Sequence, residues 1–261
     1  MPWGPLATQF CLELAFGVLL GLCLLHRAPL GLFFHRMMGA TAALPLLAAG
    51  LMPPLFDGLA WSDPRTIAAL AALLGLPWMT GPVKSRRRLQ AAAFATACTG
   101  VALVFAVRAA PGVEGPLAWV LGSLSAMATG TVAGGVGLAM VVGHWYLTVP
   151  QLPVSLLVRL NRFTVVAMLA SAVLLVTTCV VFSEPLAQAE TPLLASFGLF
   201  YLSARVSVGL AMPLLFAWMT AGSLKYGNTR SATGILYAST VLVLIGTAVS
   251  LSLQDSYGIP L

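Results

Sequence analysis

The sequence predicts an all-α protein, a polytopic transmembrane helix bundle of about eight helices with both termini on the non-cytoplasmic side (N-out, C-out). Composition, the length of the hydrophobic runs and the placement of loop charge predict it. Of 261 residues, 59% are hydrophobic and 8% charged, against roughly 25% charged in a soluble domain, so most side chains have no aqueous surface to occupy. The apolar runs are continuous over about twenty residues, enough to cross the ~30 Å hydrocarbon layer at 1.5 Å per residue. Transmembrane β-strands would instead alternate apolar and polar positions over about ten residues.

On that ruler the helices fall near residues 5–25, 37–56, 66–83, 89–110, 117–147, 163–183, 192–219 and 233–254. The first run lacks a basic n-region, contains Glu13 and meets His26-Arg27 rather than a small-residue cleavage site, so it is read as a helix and not a signal peptide. The third is the weakest, because Pro77 and Gly81-Pro82 interrupt it; a kinked or re-entrant segment 66–83 would change the parity. In the fifth, Gly122, Ala126, Gly130 and Gly134 recur every four residues and form a smooth stripe for close helix packing. A Gly-rich phosphate cradle would need a preceding strand and a helix beginning at the glycines. After it, Thr148–Arg162 carries Pro150 and Pro153, then Leu156, Leu157 and Leu160 with Arg159 and Arg162, the pattern of a short amphipathic helix in the cytoplasmic interface.

Loop charge checks the count independently. Arg27 and Arg36, then Lys84 with Arg86, Arg87 and Arg88, then Arg159 and Arg162, then Lys225 and Arg230 fill the odd loops, and none of these loops holds an acid. The even loops and the carboxyl tail hold Asp57, Asp63, Glu114, Glu184, Glu190 and Asp255, with Arg65 and Arg108 beside them. This alternation is what the positive-inside rule produces in a bacterial cytoplasmic (inner) membrane protein whose odd loops are cytoplasmic. The net charge of +6 is thereby explained by topology, and no nucleic-acid partner is inferred. The partner the composition implies is the lipid bilayer, with other membrane subunits possible along the Gly122/Ala126/Gly130/Gly134 stripe. No linker divides the chain, so residues 1–261 read as a single integral membrane domain, and no inverted repeat of the transporter kind is visible. Cys11, Cys23, Cys98 and Cys179 lie in apolar runs without metal-site spacing and read as free thiols.

Arg205 lies midway along the run Pro192 to Met219, where a charge costs a few kcal/mol at least. The acid at comparable depth is Glu13, within roughly one helical turn, so the two are expected to form an intramembrane ion pair. That pair serves either as a structural latch or as a functional site. Tyr201 shares the Arg205 face, which makes Tyr201 and Arg205 a candidate quinone or ligand site. His26, His35 and His144 fall at the cytoplasmic ends of helices one, two and five. They are candidate cofactor-binding residues for a b-type haem, candidate metal ligands, or a proton-uptake site. The competing reading is interfacial anchoring: His144 lies roughly 18 to 21 Å from the midplane, beyond the ~15 Å half-thickness of the hydrocarbon, and Trp145 and Tyr146 beside it suit an aromatic belt. No G-x-S-x-G elbow, H-E-x-x-H pair or close carboxylate pair supports hydrolytic or acid–base catalysis.

The run Gly143-His144-Trp145-Tyr146-Leu147 and the run Ala232-Thr233-Gly234-Ile235-Leu236-Tyr237 resemble a group of uncharacterised bacterial multi-pass membrane proteins. The resemblance covers these two short stretches and implies no activity. The leading expectation is a redox-associated membrane subunit that binds b-type haem or quinone near the cytoplasmic face. The alternatives are a small-solute transporter with a midplane Glu13–Arg205 site and a structural or assembly subunit.

Overall fold

The computed structural model describes residues 3–110, 115–149, 152–259 and 261. Glu114 and Pro150, used above in the loop arguments, lie outside the described residues. Every regular element among those described is helical: α1 (Trp3–Leu24), α2 (Gly31–Phe56), α3 (Pro64–Leu73), α4 (Leu76–Thr80), α5 (Ser85–Ala109), α6 (Pro116–Thr148), α7 (Ser155–Val181), α8 (Ser183–Gln188), α9 (Ser196–Val206), a π-helical turn (Ser207–Ala211), α10 (Met212–Lys225) and α11 (Thr229–Tyr257). Because α9, the π turn and α10 are continuous, seven helices are long and apolar enough to cross a membrane.

The outer surface is that of a protein solvated by lipid. Val166, Leu169, Val173, Val176 and Val180 recur at helical spacing on α7 and are all exposed, Val166, Val173 and Val180 each by more than 60%. In water such a stripe would face a core. Inside, α1 is the central helix, with Leu12, Ala15, Leu19 and Leu25 at the end of its run fully buried among α2, α5, α6 and α11.

The segment 66–83 departs from the single continuous helix expected of it. Asp63 caps α3, its side chain accepting from the Arg65 amide at 2.9 Å, and the helix stops at Leu73. It resumes at Leu76, because Pro77 has no N–H to give and fits only the first turn of a new helix. The break keeps its amides bonded: those of Leu74 and Gly75 donate to the carbonyls three residues back, Ala71 at 3.0 Å and Ala72 at 3.2 Å. The α3–α4 pair runs beside α5 from one end of the bundle to the other. Arg65 shares a cavity with Ala106 and Ala109, and the carbonyls of Met79 and Gly81 accept from Arg88 at 3.2 and 3.4 Å.

A second departure concerns residues 148–162. Among the described residues no separate interfacial helix forms; Ser155–Arg162 are the first turns of α7 itself. Leu156, Leu157 and Leu160 are drawn into the central core while Arg159 and Arg162 stay exposed. The amphipathic pattern is satisfied by the bundle rather than by the membrane surface.

Helix directions set the two ends. One end gathers the start of α1, the ends of α5 and α11 and the start of α3 around a single small cavity, and Asp57 at the end of α2 packs on Gly4. The opposite end carries His26, His35 and the Lys84–Arg88 cluster, with Phe33 and Phe34 of α2 packed on Trp145 of α6 at 5.8 and 5.4 Å between ring centroids.

Candidate functional site

The small-residue stripe of α6 places the first member of the site. Gly122, Ala126, Gly130 and Gly134 are all buried, and the helix they receive is α1, which runs parallel to α6. A Cβ on Gly130 would lie 2.8 Å from the Glu13 Cα, and one on Gly134 would lie 2.6 Å from the Leu14 carbonyl oxygen. With the stripe enclosed by the chain's own bundle, it offers no exposed face for another membrane subunit. Its consequence is that the Glu13 backbone rests directly on α6.

The Glu13 side chain is 2% exposed. Its Oε1 accepts from the Gln9 amide at 2.9 Å, and its Oε2 has no partner among the described residues. Gln9, one turn earlier on α1, also forms a reciprocal amide pair with Gln254 of α11: Gln9 donates at 2.8 Å and Gln254 donates back at 3.0 Å. Above that pair lies a cavity of about 80 Å³ lined by Thr8, Gln9, Arg65, Gln254 and Asp255 among others, room for a few waters. A polar file therefore runs from the α1-start end of the bundle to Glu13.

Arg205 is the largest fully buried side chain. Its Nη2 donates to Thr129 Oγ1 of α6 at 2.8 Å and to Ser171 Oγ of α7 at 3.0 Å, and its Nη1 reaches the Gly246 carbonyl of α11 at 3.5 Å. Its Nε has no partner among the described residues. The expected direct bridge to Glu13 is not formed: no Glu13–Arg205 contact falls within ion-pair distance, and the one ion pair among the described residues is Arg65 with Asp63 at 2.9 Å. The two groups occupy one layer, linked by consecutive residues of α6, Gly130 against Glu13 and Thr129 on Arg205. The hydroxyl oxygens supply acceptors to a guanidinium that hydrocarbon would not tolerate bare. Two residues beyond Arg205 the π turn begins at Ser207, and in it Gly209 meets Gly246 so closely that a Cβ on Gly209 would lie 2.9 Å from the Gly246 Cα.

Tyr201 sits one turn from Arg205 but belongs to a different environment. It is half-buried and packs against Phe197, tilted at 4.7 Å between ring centroids, and edge-to-face against Phe200 at 5.7 Å, and no hydrogen bond joins its hydroxyl to Arg205 among the described residues. The three histidines share one end of the bundle without forming one group. His26 Nδ1 bonds the Cys23 carbonyl at 2.7 Å at the end of its own helix, and exposed His144 meets the Tyr237 hydroxyl at 3.1 Å. His35 is 3% exposed, and its Nε2 has no partner among the described residues. Among the described residues no three His, Cys, Asp or Glu side chains come together as a metal-binding group, and the four cysteines are unpaired.

Gln9, Gln254, Thr129 and Ser171 are the site residues that sequence reasoning missed. Gln9 was visible in principle, being four residues before Glu13 and on the same helical face. Gln254 was not, because only the docking of α11 on α1 brings it within reach. Comparison with protein-family models, with curated proteins and with solved structures finds no match, so function has to be argued from this geometry.

Proposed function

We propose that the chain is a proton-coupled carrier of the bacterial cytoplasmic (inner) membrane, crossing it eight times with both termini outside, and that Glu13 is its protonatable site. The observation that carries the reading is a fully buried carboxyl with one free oxygen, joined through Gln9 and Gln254 to a cavity at one end, with a buried, incompletely satisfied Arg205 in the same layer. A carboxyl enclosed within a membrane-spanning helix and joined by polar side chains to a cavity at one end is placed to take up and release a proton. The reciprocal amide pair closes the path in this conformation, and turning either amide would open it to the cavity. The eight crossings are supported by the α3–α4 pair, which accompanies α5 along roughly 30 Å of its length, and the orientation by the gathering of basic residues at one end.

The test uses the purified protein in proteoliposomes with an internal pH-sensitive dye and an imposed pH gradient. Protonated carboxyls buried in membranes react with hydrophobic carbodiimides. We expect labelling at Glu13, loss of labelling in Glu13→Gln, and loss of proton uptake in the same variant. Unchanged uptake in Glu13→Gln, or labelling confined to Asp57 and Asp255, would overturn the proposal. A periplasmic-active reporter fused after Leu261 checks the orientation and is inactive if the parity is odd.

A second reading, a redox subunit with a b-type haem, is favoured by one observation, the buried and unpartnered Nε2 of His35. It requires a Soret band that disappears in His35→Ala.

A further inference from the structure

Outside the Glu13 layer, the break in the α3–α4 segment creates a groove of about 470 Å³ against α5. One wall is Leu74 and Trp78, 68% and 57% exposed; the other is Arg87, Gln90 and Phe94, the last 47% exposed. Residues 87, 90 and 94 follow helical spacing, so they form one stripe along α5. The floor is tight, since a Cβ on Gly75 would lie 2.8 Å from the Ala91 carbonyl oxygen.

Charge and depth identify the occupant. Arg87 stands two residues after the start of a membrane-spanning helix, at headgroup level, and Phe94 lies about 10 Å deeper along the axis. Lys84, Arg86 and Arg87 are exposed, and no Asp or Glu occurs between Asp63 and Glu114. Arg88 is already engaged by the Met79 and Gly81 carbonyls, whereas Arg87 has no hydrogen-bond or ion-pair partner among the described residues. A cation with a neighbouring amide and an indole at the rim, above an apolar channel open to lipid, matches a phosphate with an acyl chain below it. We propose that this groove is a binding site for an anionic phospholipid, its phosphate on Arg87 and Gln90 and one acyl chain between Leu74, Trp78 and Phe94. The helix break is what makes the site: an unbroken helix would fill the notch. The proposal stands apart from the role given to Glu13.

Native mass spectrometry of the detergent-purified full chain tests it, titrating phosphatidylglycerol or phosphatidylcholine of identical chains. Phosphatidylglycerol should occupy one site more tightly than phosphatidylcholine. Arg87→Gln should weaken that site about fivefold, the contribution of one basic side chain near anionic lipid, while Arg86→Gln, which removes the same charge outside the groove, should change it by less than about twofold. Phe94→Ala should weaken both lipids. Equal losses in the two arginine variants would mean diffuse surface charge and would overturn the proposal, as would equal binding of the two lipids. Displacement by glycerol 3-phosphate would point to a free phosphate-ester site and would equally overturn it.

Discussion

The close seam between α1 and α6 makes a quantitative expectation possible. A Cβ added at Gly134 would sit 2.6 Å from both the Gly17 carbonyl carbon and the Leu14 carbonyl oxygen, about 1 Å inside the usual contact distance. Every atom it meets is backbone, so no rotamer change relieves the clash and α1 must move outward by about that amount. Overpacking of a buried interface costs typically 1–3 kcal/mol, and with no flexible neighbour the upper end, about 3 kcal/mol, is expected for Gly134→Ala. Gly137, three residues along the same helix, has nothing within 4 Å of its added Cβ. Gly137→Ala should therefore be neutral or stabilising by up to about 1 kcal/mol, the helix-propensity gain alone. Unfolding of the detergent-solubilised protein with increasing dodecyl sulfate, followed by helical circular dichroism, separates the two. Equal stabilities for the two alanine variants would refute the claim that α1 and α6 meet backbone to backbone at this position.

Arg205→Met should destabilise by about 1–3 kcal/mol, because the buried hydroxyls of Thr129 and Ser171 lose the donor they accept from. Adding Glu13→Gln should recover at least about 1 kcal/mol of that in a double-mutant cycle, whereas strictly additive losses would show that the two groups do not sense each other across the gap. In the loop before α3, hydrogen bonds from Arg65 hold the Asp63 carboxyl below the usual carboxylate range. A carboxyl lowered in the folded state contributes stability that is complete above its unfolded value and is lost as pH falls through the folded one. Asp63→Ala should accordingly cost about 1 kcal/mol at pH 7, the value of a helix N-cap, and the difference from wild type should shrink below about pH 4. A pH-independent difference would mean that the carboxylate charge plays no part.

Run length and charge were readable residue by residue because each depends only on local chemistry. The apolar stretch around Glu13 forms α1, and Arg27 and Lys84 stand outside the helices, whereas Arg36 and Arg230, read as loop residues, lie within the first two turns of α2 and α11; the interruption expected of 66–83 at Pro77 and Gly81-Pro82 falls within the segment where the helix breaks. The boundaries of α7 were misjudged because an amphipathic turn such as Leu156–Arg162 looks the same whether its apolar side meets lipid or protein. The depth match of Glu13 and Arg205 was legible, since rise per residue is constant. Their lateral separation was not, nor was the capture of Arg205 by Thr129 and Ser171.

By itself, then, the sequence determined that this is an α-helical chain for a lipid solvent, with its charge segregated between alternating loops and two ionisable groups at similar depth. The tertiary structure alone decided that the Gly122–Gly134 stripe receives α1, that Gln9 and Gln254 close over Glu13, and that His26, His35 and His144 keep separate neighbours at a shared end. The physical reason is that hydrophobicity fixes how deep a residue lies in a bilayer but scarcely which way it faces. Lipid and protein interior are equally apolar, so helix order and rotation follow from small-residue packing and polar pairing, which exist only once the helices have met.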